Sequence, residues 1–235
     1  MALSDRRERL RAATEADIRA GTRRLLTEQG PHAVTLRAIA GQLGMTAPAI
    51  YRYFDSREAL LRGVCDDVCA DLTDELRSAV ELTDDRDDRA RVLGLCRAFR
   101  AWALGHPQEF GLVFATPGDA DQFAVVFLTM VVELFRGDDA PDRLEQAPPP
   151  ELTAHVEASR RSMIAALAAT GVDLPEHPIS LGAVHWILQW WVRLYGHVAL
   201  EVFGRFPFEV SGAERMFESM LADLAEQTAL TGARP

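Results

Sequence analysis

The amino-acid sequence predicts an all-α protein, in which an N-terminal three-helix helix-turn-helix domain precedes a larger helical domain. Three observations support this prediction. Apolar residues recur at helical spacings of three and four, no segment alternates as a strand does, and one stretch joins two helical patterns at a glycine. With 235 residues and 48% hydrophobic composition, the chain can bury a core in each domain. We place the domains at residues 12–62 and 63–235.

The first helix is predicted from Ala16 to Gln29, with Ile18, Leu25 and Leu26 on its buried face. Gly30-Pro31 ends it, because glycine accepts the positive φ that closes a helix and proline cannot continue it. Four arginines precede this helix. These are Arg6, Arg7, Arg9 and Arg11. They form either a basic arm that contacts the phosphate backbone or the minor groove of DNA, or a disordered solubilising tail.

Two short helices are predicted between Thr35 and Phe54, hinged at Leu43-Gly44-Met45. Ala40 is small enough for a second helix to cross closely, Gly44 can adopt the helix-ending positive φ, and Ile50 fills the angle between the helices. The buried stripe of the first helix follows spacings of three and four, at Leu36, Ile39 and Leu43.

Both short helices have N-terminal signals. Thr35 and Thr46 stand where a hydroxyl accepts a hydrogen bond from the first turn, and Pro48 suits the first turn of the second helix. The remaining face of that helix is short or polar, as a helix in a major groove requires: Thr46, Ala47, Ala49, Arg52 and Tyr53. The alternative is an ordinary αα-hairpin in a helical core.

A capping box, Asp55-Ser56-Arg57-Glu58, opens the next helix. With this helix order, the segment resembles the amino-terminal domain of the TetR family of transcriptional regulators. The resemblance covers about a fifth of the chain. It is carried by Gly30, Thr35, Ile39-Ala40, Leu43-Gly44-Met45, Ile50-Tyr51, Phe54 and the run from Ser56 to Leu61.

The resemblance implies how individual residues meet DNA. Thr35 and Tyr51 match positions that hold backbone phosphates, and Arg57 matches a phosphate contact usually made by lysine. Base edges are read at the positions of Thr46, Ala47, Ala49 and Arg52. Of these only Arg52 can bind guanine in a bidentate manner. Ala47 differs from the family, which often has a more polar residue at this position. The full set of predicted DNA contacts is Thr35, Arg37, Thr46, Ala47, Pro48, Ala49, Tyr51, Arg52, Tyr53 and Arg57.

Charge is segregated along the chain. Residues 1–65 hold 11 Arg and 7 Asp or Glu, a balance of +4, whereas residues 66–235 hold 14 Arg and 28 Asp or Glu, a balance of −14. The acidic pI of about 5.1 would argue against a nucleic-acid partner if the charge were evenly spread. Its segregation instead favours double-stranded DNA as a partner of the amino-terminal domain.

Other function classes find no support in the sequence. The most apolar run, Phe123 to Phe135, is too short for a membrane span, and no apolar signal segment opens the chain, so we expect a cytoplasmic protein without a membrane partner. Cys65 and Cys69, at i and i+4, fit helix packing better than a metal or redox site. No di-iron, zinc-protease or phosphate-loop motif occurs, so we expect no enzyme, cofactor or metal.

The larger domain reads as helices joined by an Asp- and Pro-rich connector at 137–150 and a loop at 172–178. The helices are predicted at residues 64–82, 89–104, a short segment from 107, 119–136, 151–169, 179–203 and 212–228.

A second resemblance lies in this domain. His106 to Leu112, Trp191 to Gly196 and Glu201 resemble the ligand-binding half of one TetR subgroup, with Tyr195 in place of a histidine. Each aromatic residue also fits a core role, but as a group they predict a cavity for an apolar or aromatic small-molecule effector. The candidates are Phe99, Trp102, His106, Phe110, Phe127, His185, Trp186, Gln189, Trp190 and Tyr195.

Two half-sites need two recognition helices about 34 Å apart, so one helix-turn-helix per chain implies a homodimer. We expect helices 179–203 and 212–228 to pair through one apolar stripe, unless that stripe packs on its own chain: Met216, Phe217, Met220, Leu221 and Leu224. The predicted function is a DNA-binding regulator, a repressor released from a palindromic operator by the effector. The alternative is a helical ligand-binding or interaction protein that keeps the fold without specific DNA binding.

Overall fold

The computed structural model describes residues 2–82, 88–114, 147–169, 179–207 and 211–227, and in this part of the chain every regular element is a helix. A 3₁₀ turn at Pro150–Leu152 precedes the seventh helix. The helices are α1 (Ala2–Gln29), α2 (Leu36–Gln42), α3 (Ala47–Ile50), α4 (Arg57–Glu81), α5 (Asp88–Gly105), α6 (Pro107–Phe114), α7 (Thr153–Ala169), α8 (Leu181–Val202) and α9 (Ala213–Gln227).

The all-α prediction is therefore confirmed, and the predicted helices agree with the observed ones to within a few residues over most of the described chain. The predicted helix at 119–136 and the loop at 172–178 lie outside the described residues, as does nearly all of the connector at 137–150. No helix in the described ranges is long and apolar enough to cross a membrane.

The described helices form two compact units. The first contains α1, α2, α3, the part of α4 up to Asp71, and α6. The second contains α4 from Leu72 onward, α5, α7, α8 and α9. The predicted functional division into residues 12–62 and 63–235 remains a prediction.

The start of α1 corrects the sequence-based prediction. The helix begins at Ala2 rather than Ala16, so Arg6, Arg7, Arg9 and Arg11 belong to a helix and not to an unstructured arm. The segment before Ala16 is rich in alanine, arginine and glutamate, which favour helix without needing an apolar face. Leu10, a large aliphatic residue in this segment, is 60% exposed. A pattern of buried apolar residues therefore does not predict this part of α1.

The core of the first unit sets the angle of the helix-turn-helix. Ile18 on α1, Ile39 on α2 and Ile50 on α3 are fully buried. A Cβ at Gly21 would lie 3.0 Å from Cδ2 of Leu43, so a side chain at residue 21 would require Leu43 to shift. The predicted roles of Ile39 and Ile50 are confirmed, whereas the close approach at Gly21 was not predicted.

The turn between α2 and α3 depends on Gly44, whose φ is +63°. A Cβ at this position would meet nothing within 4 Å, so alanine would be strained by its backbone alone. We expect Gly44→Ala to lower the free energy of unfolding by about 1 to 2 kcal/mol, the cost of holding a non-glycine residue in the left-handed region. Urea denaturation followed by circular dichroism measures this loss.

Gly41 provides the matched control, because it lies inside α2 and its Cβ would also meet nothing within 4 Å. Gly41→Ala should stabilise the protein by up to about 1 kcal/mol through higher helix propensity. Changes of the same sign in the two variants would refute the assignment of Gly44 to the turn.

In the second unit, α8 packs against α5, α7 and α9. Its N-terminus is capped by Ser180, whose Oγ accepts a hydrogen bond from the Ala183 N–H at 3.0 Å. Arg100 forms a bidentate ion pair with Glu201, with nitrogen–oxygen distances of 2.8 and 2.6 Å. The side chains that α5 and α8 bury include Leu95, Phe99, Trp190, Leu194 and Val198.

The stripe predicted on α9 packs largely on its own chain. Phe217, Leu221 and Leu224 are at most 3% exposed within one subunit, whereas Met216 is 47% exposed. Helical periodicity shows that a face is buried but not whether its partner belongs to the same chain. The stripe as a whole is therefore the wrong choice for a dimer interface.

Candidate nucleic-acid interface

The second helix of the helix-turn-helix is short, and its backbone continues as a turn. α3 spans Ala47–Ile50, and the N–H groups of Tyr53 and Phe54 both donate to the Ile50 carbonyl, at 2.9 and 3.1 Å. Pro48 lies in the first turn, as predicted. Because the Ile50 side chain is fully buried, it fixes the segment to the domain while the opposite side points outward.

The outward side is the one predicted to meet DNA. Arg52 is exposed, Tyr51 is 55% exposed, and Ala47, Ala49 and Tyr53 are half-buried. The other predicted contacts that reach solvent are Thr35, Arg37, Thr46 and Pro48. The chain therefore leaves the Arg52 side chain accessible to a duplex.

The two threonines differ from each other. Thr35 caps α2 as predicted, since its Oγ1 accepts a hydrogen bond from the Ala38 N–H at 3.2 Å. Thr46 has the extended backbone of an N-cap, but its side chain makes no capping hydrogen bond, so the prediction of two side-chain caps is wrong for α3. The Thr46 hydroxyl is thus not committed to the helix that it precedes.

Arg57 has a structural role that the sequence did not reveal. Its Nε donates to the Val34 carbonyl at 2.6 Å and its Nη2 donates to the Pro31 carbonyl at 3.1 Å. The half-buried guanidinium thereby joins the start of α4 to the loop that leads into α2. A lysine cannot reproduce this fork, because its ammonium is a single point of donation.

We expect Arg57→Lys to lower the free energy of unfolding by about 1 to 3 kcal/mol, because charge is retained while hydrogen bonds to two carbonyls are lost. Arg37→Lys, at an exposed position on α2, should leave stability unchanged. Thermal and urea unfolding of both variants give the comparison. An Arg57→Lys protein as stable as the wild type would show that the fork adds nothing to the fold.

Arg11 joins α1 to the end of the recognition segment, which consists of α3 and the turn after it, residues 47–54. Its Nε lies 2.8 Å from Oε1 of Glu15, and its Nη2 donates to the Arg52 carbonyl at 3.4 Å. Its guanidinium carbon lies 6.0 Å from the centre of the Tyr53 ring. The first helix is therefore in direct contact with the turn that carries the predicted base-reading arginine.

A buried ion pair connects α6 to α1. Nε of Arg23 lies 2.5 Å from Oε1 of Glu109, and the same guanidinium also pairs with Asp71 on α4. The Glu109 side chain is 3% exposed, and its Oε2 has no hydrogen-bond partner in the described ranges. Three helices of the first unit thus meet at one arginine, which sequence periodicity did not indicate.

The predicted effector-binding residues fall into both units. His106, which is exposed, and Phe110, which is buried, belong to the first unit. Phe127 lies outside the described residues. The remaining candidates belong to the second unit, where Phe99, Trp102 and Trp190 are buried, His185, Trp186 and Tyr195 are half-buried and Gln189 is exposed.

Aromatic rings of the second unit form two groups along α8. Trp186 stacks on Trp190 with ring centres 5.4 Å apart. The ring centre of Trp191 lies 5.9 Å from that of Tyr195 and 5.6 Å from that of Phe99 on α5. Trp191 was part of the second resemblance but not of the predicted set of effector contacts, although its spacing of four from Tyr195 places both on one helical face.

Polar groups accompany these rings. Within the described part of the chain, the buried Nε1 of Trp190 has no hydrogen-bond partner. Nε2 of Gln189 lies 3.0 Å from Nε2 of His185. Burial raises the pKa of the Tyr195 phenol, so this hydroxyl remains protonated and can donate near neutral pH. The second unit therefore combines aromatic surface with hydrogen-bond donors.

The cysteines are buried and form no disulfide bond. Across the described ranges, no group of three or more His, Cys, Asp or Glu side chains is arranged to hold a metal ion. The interpretation of Cys65 and Cys69 as packing residues agrees with their burial on α4.

Two family models match this chain. The model described as "Bacterial regulatory proteins, tetR family" matches residues 18–64, the segment that contains the C-terminal part of α1, all of α2 and α3, and the start of α4. The model described as "Tetracyclin repressor-like, C-terminal domain" matches residues 92–224, which is more than half of the chain.

Individual proteins show the same relationship. HTH-type transcriptional regulator Mb1846 of Mycobacterium bovis is 36% identical over 112 residues, which cover 48% of each chain. The match thus spans about half the length of that relative. The uncharacterized HTH-type transcriptional regulator Rv0681 of Mycobacterium tuberculosis is 29% identical over 184 residues, covering 78% of this chain and 68% of that protein. The crystal structure of the regulatory protein SCO4313 has a TM-score of 0.66 at 28% identity, covering 93% of this chain and 98% of that one.

Proposed function

The chain belongs to the TetR family of transcriptional regulators, a class of DNA-binding proteins and not of enzymes, and from that premise we propose that it is a repressor. It binds a palindromic operator as a homodimer and leaves it when an apolar or aromatic small molecule binds the helical body. The observation that carries this proposal is the solvent-exposed outer side of α3 and the turn after it, held in place by the buried Ile50.

On this side the residues divide by chemistry. Arg52 is exposed and can donate two parallel hydrogen bonds to guanine, while Ala47 and Ala49 are short enough to approach thymine methyl groups. Thr35 and Tyr51 would donate to phosphates and set the register without reading sequence. We assign base choice mainly to Arg52 and positioning to the hydroxyl groups.

The homodimer follows from the geometry of DNA, since one chain carries one helix-turn-helix and two half-sites need two. Most of the predicted apolar stripe on α9 is buried within the subunit, so pairing of the last two helices would use other residues of these helices. The partner for each protomer in this proposal is a second copy of the chain related by a two-fold axis.

The effector proposal rests on the second unit. Trp186 and Trp190 present stacked rings, and the buried Trp190 N–H has no acceptor among the residues that the structure describes. An aromatic ligand with an oxygen acceptor would supply the partner that a buried donor requires. We therefore assign the effector to the aromatic class, with one hydrogen-bond acceptor near Trp190.

Release requires a connection between the effector and the DNA-binding helices. α4 is one continuous helix from Arg57 to Glu81, and Arg57 ties its start to the loop before α2. A shift of α4 would thus be passed to the helix-turn-helix through this fork. The effector drives the shift only if it binds the DNA-free arrangement more tightly than the DNA-bound one.

A footprint on the DNA flanking the gene for this chain tests the proposal. We expect one protected, two-fold symmetric site, and we expect an aromatic compound from a panel of benzaldehydes, acetophenones and phenols to remove the protection. Salt-sensitive binding with no preferred site would refute specific recognition. It would support a helical ligand-binding or interaction protein that keeps the fold without specific DNA binding.

A further inference from the structure

The amino-terminal part of α1 carries positive charge beyond the helix-turn-helix core. Residues 6–11 contain four arginines and one glutamate, and the arginine side chains are exposed. Because this segment is helical, each side chain has a defined direction. The directions of the arginine side chains can therefore be related to the position of the recognition segment.

The contacts of Arg11 show which side of α1 faces the recognition segment. Its guanidinium contacts the Arg52 carbonyl and lies near the Tyr53 ring, so this side of α1 meets the end of the recognition segment. Ile18, seven residues later on the same side, is fully buried in the domain. Arg11 is thus the point at which α1 leaves the domain core.

Arg7 lies one helical turn before Arg11 and on the same side of α1. It is exposed, and it stands about 6 Å further along the axis, beyond the contact with Arg52. Glu8 lies about 100° around the helix from Arg7, beyond Arg11, so it does not lie between Arg7 and Arg11. Arg7 therefore adds an exposed guanidinium to the side of α1 that contacts the backbone of Arg52 through Arg11.

We propose that the amino-terminal segment of α1 is a second DNA-contact element, in which Arg7 binds a backbone phosphate flanking the base pairs read by the recognition segment. The inference rests on the proposed DNA-binding function and adds to it a contact outside the helix-turn-helix. Arg11 acts as a positioning residue, since its contacts with Glu15, Arg52 and Tyr53 hold the segment against the recognition turn. The contact reads no sequence, because phosphates are present at every base pair.

Arg7→Gln tests the inference, with Arg24→Gln as its matched control at an exposed position near the other end of α1. Affinity for a 40-base-pair duplex of arbitrary sequence, and for the footprinted site, is measured by fluorescence anisotropy from about 0.05 to 0.3 M salt. We expect Arg7→Gln to make the slope of log affinity against log salt shallower by about 0.9 per protomer on both duplexes. Arg24→Gln should keep the wild-type slope.

Several outcomes separate this inference from the proposed function. If the wild type protects a specific site while Arg7→Gln keeps the wild-type slope and a native circular dichroism spectrum, the second contact does not exist and the regulator remains. If the wild type binds duplexes without preference but Arg7→Gln still reduces the slope, the contact stands and specific recognition fails. Absence of wild-type binding to any duplex would overturn both.

Discussion

Replacing Arg23 with alanine should lower the free energy of unfolding by about 3 kcal/mol. The change removes the partner of a carboxylate that is 3% exposed, and Glu109 would then hold an uncompensated buried charge. Oε2 of Glu109 has no hydrogen-bond partner among the described residues even when Arg23 is present, so none of these residues is in place to take over. The expected loss is at the lower end of the range for such pairs because the Arg23 side chain is itself 26% exposed.

Arg19 is the matched control, one turn earlier on the same helix. It pairs with Asp67 at 2.6 Å, but the Asp67 side chain is 40% exposed, so Arg19→Ala should cost less than about 1 kcal/mol. Urea unfolding monitored by circular dichroism compares the two. The double variant Arg23→Ala with Glu109→Leu should recover most of the loss, because no buried charge remains. Equal losses for Arg19→Ala and Arg23→Ala would contradict the account of this pair.

Replacing Arg52 with alanine should weaken binding to the operator by about 1 to 3 kcal/mol and relax base choice at one position in each half-site. Arg52 is the one side chain on the proposed reading side that can form a bidentate contact, and it is exposed. Unfolding free energy should hardly change. Binding of wild type and variant to duplexes substituted at each position of the site measures both effects.

Tyr51→Phe serves as the comparison, because it removes only the hydroxyl proposed to contact a phosphate. This variant should lose affinity by a similar factor on every sequence, whereas Arg52→Ala should lose most on the preferred one. Uniform losses in both variants would show that Arg52 and Tyr51 do not divide the work between base and backbone.

The helix-turn-helix was predictable from sequence because its signals are local. Gly44 adopts the positive φ, Ile50 is buried and Ser56 caps α4, each as its residue type indicates. Thr46 shows the limit, since its position suits a cap but its side chain makes no capping bond. A residue type states which hydrogen bonds are available and not which one forms.

The contacts that sequence did not reveal join distant parts of the chain. Glu109 lies 86 residues from Arg23, and the Arg57 fork reaches carbonyls 23 and 26 residues away. Charged residues in helices are usually solvent-exposed, so neither contact was predicted, and Arg57 was assigned to a phosphate instead. The stripe around Phe217 shows the same limitation for apolar residues, because a single sequence does not say which chain covers a face.

The affinity ratio between two duplexes tests the central claim most directly. At about 0.15 M salt, the wild type is titrated with the footprinted site and with a scrambled duplex of the same length. If the exposed side of α3 and its following turn reads bases, the site should bind at least about a thousandfold more tightly. A ratio near one, with both affinities falling equally as salt rises, would contradict the assignment of this chain as a sequence-specific regulator.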